Sequence, residues 1–247
     1  MQVKVEANLD EALVLPLGYH HILQSIVYRN LMDSPEYSSY LHNEGYENGK
    51  RQFKMFTFGP LRGKYLIRNK EICFLDKVQF EVRSPEVMMV RTLEDSIRRR
   101  GFFFGERHIE GVRTMLSDQT VERNQIQIRM QSPVTVRMTD PISKKTHFYH
   151  PGEPEFFFMI CENFKRKYKA YYGVEPKSEI AISPIKVSDR DKYVTRYKNF
   201  MISGWLGEYN LEGERKYLDF LYQTGLGEKN AQGFGMFDVI NKSEGAI

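Results

Sequence analysis

The sequence has few cysteines, no long apolar run and little excess of charge. Cys73 and Cys161 are its 2 cysteines and show no CxxC spacing, so we interpret them as reduced core thiols. The longest strictly apolar run covers residues 156–161, far short of the ~18 residues that a membrane span requires. The first residues also lack a signal-peptide pattern. We therefore expect a soluble, cytoplasmic protein with no membrane partner.

The charge balance is close to even. The chain has 36 Lys and Arg against 32 Asp and Glu, a net charge of +4. A protein dedicated to binding polyanions usually carries a larger excess of positive charge. If nucleic acid is the partner, a local cluster of basic side chains must bind it.

Length and composition favour two folded domains. The 247 residues exceed the usual size of one domain, and 41% hydrophobic residues are too many for a disordered chain. Periodicity in the first half predicts strands and helices in the order β-α-β-β-α-β. The predicted segments are a strand near residues 3–5, a helix over 22–31, extended segments over 53–58 and 72–83, a helix after Ser84-Pro85-Glu86, and an extended stretch over 103–115.

The sequence also predicts where two helices of this half begin or end. A short additional helix is predicted to begin at Ser34 and to end near His42. The helix after Ser84 should end at Gly101, which follows three arginines. Its expected inward residues are Val87, Val90, Leu93 and Ile97.

The second half is predicted to repeat the same order. Its segments are a strand over 126–138 broken at Pro133, a helix over 157–171, extended segments over 179–187 and 192–205, a helix over 214–222, and a last strand over 234–240. The predicted fold class is therefore α+β, with tandem ferredoxin-like (RRM-like, βαββαβ) domains at residues 1–120 and 121–247 and a C-terminal glycine-rich loop.

The glycine-rich loop is the most specific motif. Gly225, Gly227, Gly233 and Gly235 fall within eleven residues, after a predicted helix and before a strand. Nucleotide-binding glycine motifs instead run from a strand into a helix, so a nucleotide cofactor is not expected. Two interpretations remain: a backbone that approaches a phosphate chain closely, with Lys229 adding charge, or a tight connection between helix and strand.

His42 is the best placed of the six histidines for chemistry. The end of a short polar helix would favour its imidazolium form while leaving it near solvent. Tyr28 on the first helix and Lys54 at the next strand are further candidates. Each of the three also has an ordinary structural interpretation as a helix-end, helix-surface or strand-end residue.

Two weaker motifs have ordinary interpretations as well. His147 and His150, with Glu153 and Glu155, could form a metal site, but a third histidine or a thiolate is missing, so no metal is expected. The basic run from Lys165 to Lys169 is interpreted as the solvated face of a helix.

Several segments together resemble one known family. They are Tyr19-His-His-Ile-Leu-Gln24 with Tyr28, Tyr40-Leu-His42 leading to Phe53-Lys54-Met-Phe56-Thr57, Ser132-Pro133-Val134, and Gly233-Phe-Gly235. This pattern resembles the CRISPR-associated endoribonuclease family numbered six, of the RAMP superfamily, over essentially the whole chain.

The resemblance implies a metal-independent endoribonuclease that matures guide RNAs from CRISPR repeat RNA. It implies that His42, Tyr28 and Lys54 are catalytic, with His20 or His21 as alternatives to His42, and that no cofactor is needed. The implied RNA-binding residues are Gly225, Gly227, Lys229, Gly233 and Gly235. The rival expectation is a non-catalytic RNA-binding subunit of a CRISPR effector complex. Membership of such a complex and formation of a homodimer are left open.

Overall fold

The computed structural model describes residues 1–32, 34, 37, 45–49, 51–197 and 200–240. Most of the short helix predicted from Ser34 to His42, including His42 itself, lies outside the described residues. No helix within the described residues is both long enough and apolar enough to cross a membrane.

The described residues form four α-helices and nineteen strands. The helices are α1 (His20–Leu31), α2 (Val87–Arg100), α3 (Pro154–Tyr172) and α4 (Arg215–Thr224). The strands of the first half are β1 (Gln2–Asn8), β2 (Leu13–Pro16), β3 (Tyr46–Asn48), β4 (Arg51–Phe53), β5 (Thr57–Phe58), β6 (Tyr65–Arg68), β7 (Glu71–Phe74), β8 (Lys77–Arg83), β9 (Phe102–Phe104), β10 (Arg107–Ile109) and β11 (Arg113–Ser117). The strands of the second half are β12 (Gln125–Met130), β13 (Arg137–Thr139), β14 (Thr146–Phe148), β15 (Ala181–Lys186), β16 (Lys192–Tyr197), β17 (Phe200–Trp205), β18 (Glu208–Glu212) and β19 (Phe237–Val239).

A four-stranded antiparallel sheet organises the first half. Its strand order is β11-β1-β8-β5, with Val3 opposite Val82 and Val5 opposite Phe80. These alternating residues share one hydrophobic core with the buried residues of α1 and α2. Along the chain the order β1-α1-β5-β8-α2-β11 is the predicted β-α-β-β-α-β.

The second half contains an equivalent sheet in the order β15-β18-β12-β19. When the four strands of each sheet are numbered in chain order, both sheets have the same arrangement. The third strand lies between the first and the second, and the first lies between the third and the fourth. Ile128 and Tyr209 lie opposite each other on adjacent strands and share a separate core with α3 and α4. The predicted α+β class is therefore confirmed, and each half contains a β-α-β-β-α-β series.

The structure corrects several boundaries. Strand β18, with Tyr209 and Leu211 buried, was not predicted. The extended stretch predicted over 192–205 is instead the hairpin of β16 and β17, which is not part of the central sheet. Val87, predicted to point inward, is 43% exposed, because α2 begins there and buries Met89 instead. The other predicted inward residues, Val90, Leu93 and Ile97, are buried.

Buried polar contacts join the two halves. The guanidinium of Arg83, at the end of β8, donates to the carbonyl of Phe237 (2.6 Å) and to Asp238 (2.7 Å) on β19. The amino terminus donates to Gln223 on α4 at 3.0 Å, and it also donates to the carbonyl of Ser84 in its own half at 3.0 Å. The Arg83 contacts hold the end of β8 against β19.

Candidate functional site

A cleft of about 830 Å³ lies between the two halves. Helix α1 and the segment around β4 line it from the first half. Strand β13, helix α3 and the glycine-rich loop line it from the second half. Its lining includes Tyr28, Arg51, Lys54, Arg137, Arg166, Lys167, Gly227, Glu228, Lys229 and Asn230.

The described lining of the cleft is strongly basic. Its charged members are six basic residues and one acidic residue, Glu228. Glu228 is already engaged, because its carboxylate lies 3.1 Å from Arg51 and 3.4 Å from Arg137. A chain with little net charge therefore concentrates positive charge in one concave site, where it attracts an extended polyanion.

Tyr28 and Lys54 both line this cleft, although they are 26 positions apart in the sequence. Tyr28 lies on the half-buried flank of α1, with its ring centroid 6.2 Å from that of Phe56. Lys54 directly follows β4, and a Cβ placed on Gly45 would lie 3.1 Å from its Nζ. The structure thus brings together two of the three predicted catalytic side chains.

The alternative histidines do not line the cleft. His21 is exposed, and its Nδ1 lies 2.9 Å from the carbonyl oxygen of Gly18. His20 is only 5% exposed and stacks between Tyr19 and Phe234. Burial, with a smaller contribution from His21, lowers the pKa of His20 to about 4, and its Nδ1 has no hydrogen-bond partner among the described residues.

We predict that acid weakens the fold through His20. The unfolded chain has a histidine pKa of about 6.5 and binds a proton first as the pH falls. The stability contributed by neutral His20 is complete above pH 6.5 and is lost as the pH falls toward 4. This loss amounts to about 2–3 kcal/mol by pH 4.5.

Urea unfolding at pH 7.5 and pH 4.5 measures this contribution. His20→Leu should lose about 2–3 kcal/mol less on acidification than the unsubstituted protein. His21→Leu is the matched control and should behave like the unsubstituted protein. Equal acid losses in all three proteins would contradict the prediction.

The glycine-rich loop packs tightly against the protein. Its four glycines are buried and have φ between +64° and +86°. A Cβ on Gly235 would lie 1.9 Å from the carbonyl oxygen of Leu226, and one on Gly233 would lie 2.6 Å from the ring of Phe58. Glycine is therefore required by backbone conformation and close packing, as in the connection interpretation. A phosphate-binding role for the four glycines stays a prediction.

The basic run on α3 is only partly solvated, which corrects the sequence interpretation. Lys167 is 2% exposed, and its Nζ donates to the carbonyl of Gly225 (2.6 Å) and to Oδ1 of Asn230 (2.9 Å). Helical spacing could have revealed this, since Lys167 follows the buried residues Ile160 and Phe164 on one face of the helix.

The weak metal motif forms an ordinary polar cluster. His147 Nε2 lies 2.9 Å from Glu153, and His150 Nε2 lies 3.7 Å from Asp189. In the ranges that the structure describes, no group of three or more His, Cys, Asp or Glu side chains is arranged to hold a metal ion.

Known proteins are similar to this chain in sequence and in fold. A family model described as "CRISPR associated protein Cas6, C-terminal" matches residues 116–239. The CRISPR-associated endoribonuclease Cas6 1 of Methanocaldococcus jannaschii is 26% identical over 98% of this chain and 92% of its own length. The CRISPR-associated endoribonuclease Cas6 of Pyrococcus furiosus is 24% identical over 95% of this chain and 87% of its own length.

Solved structures agree at the level of the fold. A structure described as "An RAMP protein binding different RNA substrates" has a TM-score of 0.80 at 20% identity, covering 98% of this chain and all of that one. The family model spans half of this chain, and the two curated relatives align over nearly all of it. The chain therefore belongs to the Cas6 family of CRISPR-associated endoribonucleases.

Proposed function

We propose that this protein cleaves CRISPR repeat RNA without a metal ion, by attack of a ribose 2′-hydroxyl, to mature guide RNAs in the cytoplasm. The observation that carries the proposal is the shared position of Tyr28 and Lys54 in a basic cleft between the halves. A cleft of about 830 Å³ lined by six basic side chains suits a single RNA strand or the base of a hairpin.

The proposed reaction transfers a phosphoryl group within the RNA. A general base removes the proton of the 2′-hydroxyl, and the 2′-oxygen attacks the adjacent phosphorus. The bond from phosphorus to the 5′-oxygen breaks, and a general acid protonates that oxygen. The products are a 2′,3′-cyclic phosphate and a 5′-hydroxyl end.

Each proposed side chain suits one part of this chemistry. The Lys54 ammonium stabilises the charge that develops on the non-bridging phosphate oxygens. Tyr28 orients the 2′-hydroxyl or the leaving oxygen through its phenol group. His42 supplies proton transfer near neutral pH, the role for which imidazole is best suited.

The position of His42 in the sequence supports it as the third catalytic residue, beside Tyr28 and Lys54. Gly45 lies against Lys54, and His42 precedes it by three positions. His20 and His21 do not line the cleft, which favours His42 over both.

The same cleft suggests a path for the RNA. Lys229 belongs to the glycine-rich loop, and Arg137 and Arg166 line the cleft from β13 and α3. We propose that phosphates run along these cations and along the backbone of the loop, across the junction of ferredoxin-like domains at residues 1–120 and 121–247. The two separate hydrophobic cores support this division of the chain.

Cleavage of a cognate repeat RNA in excess EDTA tests the proposal. A substrate with one 2′-deoxy sugar at the cut site should bind but remain uncut, because it lacks the nucleophile. His42→Ala should cut about 10²–10⁴-fold more slowly than the unsubstituted protein, whereas His21→Ala, the matched control on the exposed face of α1, should cut normally.

Each outcome has a distinct meaning. Cleavage of the 2′-deoxy substrate, or a strict need for a divalent metal, would exclude the mechanism. Full activity of His42→Ala would exclude only that residue's role. Repeat RNA that is bound and never cut would favour the alternative, a non-catalytic RNA-binding subunit of an effector complex.

A further inference from the structure

An unusual lysine lies beneath the glycine-rich loop. Lys167 Nζ is buried and donates to three neutral oxygens, the carbonyls of Gly225 (2.6 Å) and Thr224 (3.5 Å) and Oδ1 of Asn230 (2.9 Å). Among the described residues it forms no ion pair, although most buried lysines are paired with a carboxylate. Three acceptors match the three N–H donors of an ammonium group.

Asn230 connects this lysine to both ends of the loop. Its Nδ2 donates to the carbonyl of Leu226 (2.9 Å) and to that of Phe234 (3.0 Å). Since an ammonium group can only donate, Lys167 requires the oxygen of the amide to face it. The nitrogen must then face the two loop carbonyls, so Lys167 selects the amide orientation that closes the loop.

The closed loop forms one wall of the cleft. The residues between these two ends that line the cleft are Gly227, Glu228, Lys229, Asn230, Ala231 and Gln232. Gln24 of α1 supports this wall from the other half by donating to the carbonyl of Ala231 (2.7 Å). The shape of the cleft therefore depends on the contact between Lys167 and Asn230.

We infer that Lys167, acting through Asn230, is a positioning residue that holds the glycine-rich loop in the shape that binds RNA phosphates, and that its buried charge strengthens this binding. The inference rests on the proposed function, because it assigns the cleft to RNA. Lys167 is not proposed to contact the reacting atoms.

The charge of Lys167 should also make RNA affinity depend on pH. Burial lowers the pKa of Lys167 to about 7, and a bound phosphate would raise it again, so RNA binding should take up a proton. Affinity should be constant below about pH 7 and fall as the pH rises above it. The other charged groups that line the cleft are Arg51, Lys54, Arg137, Arg166, Glu228 and Lys229. Burial also lowers the pKa of Lys229, so Lys229 can contribute to the same pH dependence. The contribution of Lys167 is therefore the difference in pH dependence between the unsubstituted protein and Lys167→Met.

Lys167→Met tests the inference, with Lys169→Met as the matched control. Lys169 is on the same helix and pairs with Glu175 at 2.7 Å, away from the loop. The dissociation constant for 2′-deoxy repeat RNA should rise about tenfold or more in Lys167→Met and stay unchanged in Lys169→Met. The single-turnover cleavage rate at saturating RNA should change less than about threefold, and amide hydrogen exchange without RNA should accelerate at residues 225–235.

Asn230→Ala provides a second variant if Lys167→Met does not fold. It should show the same loss of affinity, and the double variant should bind no more weakly than the worse single variant. Unchanged RNA affinity and unchanged exchange in Lys167→Met would overturn the inference while leaving the proposed function intact. An unsubstituted protein that neither binds nor cuts repeat RNA would overturn both.

Discussion

Replacing Arg83 with methionine is expected to lower the free energy of unfolding by about 3–5 kcal/mol. Arg83 is 2% exposed and lies 2.5 Å from Glu81 and 2.7 Å from Asp238. Its guanidinium carbon also lies 3.9 Å from the centre of the Tyr222 ring. Removal of this cation would leave the carboxylate of Glu81, on β8, without its closest positive partner in a largely buried site.

Arg129→Met is the matched control. Arg129 contacts Glu208 at 2.7 Å, but its side chain is 61% exposed, so losing this pair should cost less than about 1 kcal/mol. Chemical denaturation of both variants at pH 7.5 measures the difference. A similar small loss in both variants would show that Arg83 is dispensable for stability.

The location of Arg83 adds a second expectation for the same variant. Its partners Tyr222, Phe237 and Asp238 belong to the second half, whereas Arg83 and Glu81 belong to the first. The cleft lies between these halves, so loss of Arg83 should also loosen the spacing of its two walls. A denaturation curve with two separate transitions would be direct evidence that Arg83 couples the halves.

The sequence predicted the order of elements better than their pairing. Helix α3 has a long apolar stripe and helix α2 has Gly101 as its stop, and both were correctly located. Strand β18 was missed because the hairpin of β16 and β17 is equally extended and precedes it. Local periodicity cannot decide which extended segment joins the central sheet, because long-range packing makes that choice.

The candidate site was predictable in part, for a similar reason. The resemblance implies that Tyr28 and Lys54 are catalytic, and both line one cleft in the structure. The burial of Lys167 was not predicted because a lysine in a basic run is normally solvated. In the structure its ammonium instead donates to three oxygens, one at the end of α4 and two in the glycine-rich loop. A partner of this kind depends on the fold and leaves only a weak signal in the sequence.

Gly235→Ala is expected to cost about 2–5 kcal/mol of stability. The φ of Gly235 is +77°, a region that disfavours residues with a Cβ. The added carbon would also lie 1.9 Å from the carbonyl oxygen of Leu226 and 2.6 Å from Nδ2 of Asn230. The loop must move to relieve both contacts, which adds a packing cost to the conformational one.

Gly105→Ala separates these two costs. Gly105 has φ of +64°, and a Cβ there would meet nothing within 4 Å, so the variant should lose only about 1–2 kcal/mol. Urea denaturation measures both losses, and binding of 2′-deoxy repeat RNA is measured in parallel. A Gly235→Ala loss no larger than that of Gly105→Ala would contradict the packing argument.

Comparing Gly235→Ala with Gly105→Ala also distinguishes the two interpretations of the glycine-rich loop. If glycine is needed for packing, Gly235→Ala should lose stability and RNA affinity together, because the distorted loop reshapes the cleft wall. If glycine is needed so that phosphate can approach the backbone, affinity should fall while stability matches Gly105→Ala. The built Cβ positions of Gly225, Gly227, Gly233 and Gly235 all meet protein atoms closer than 3 Å. This geometry favours the first outcome, in which the glycines are needed to shape the wall along which the RNA binds.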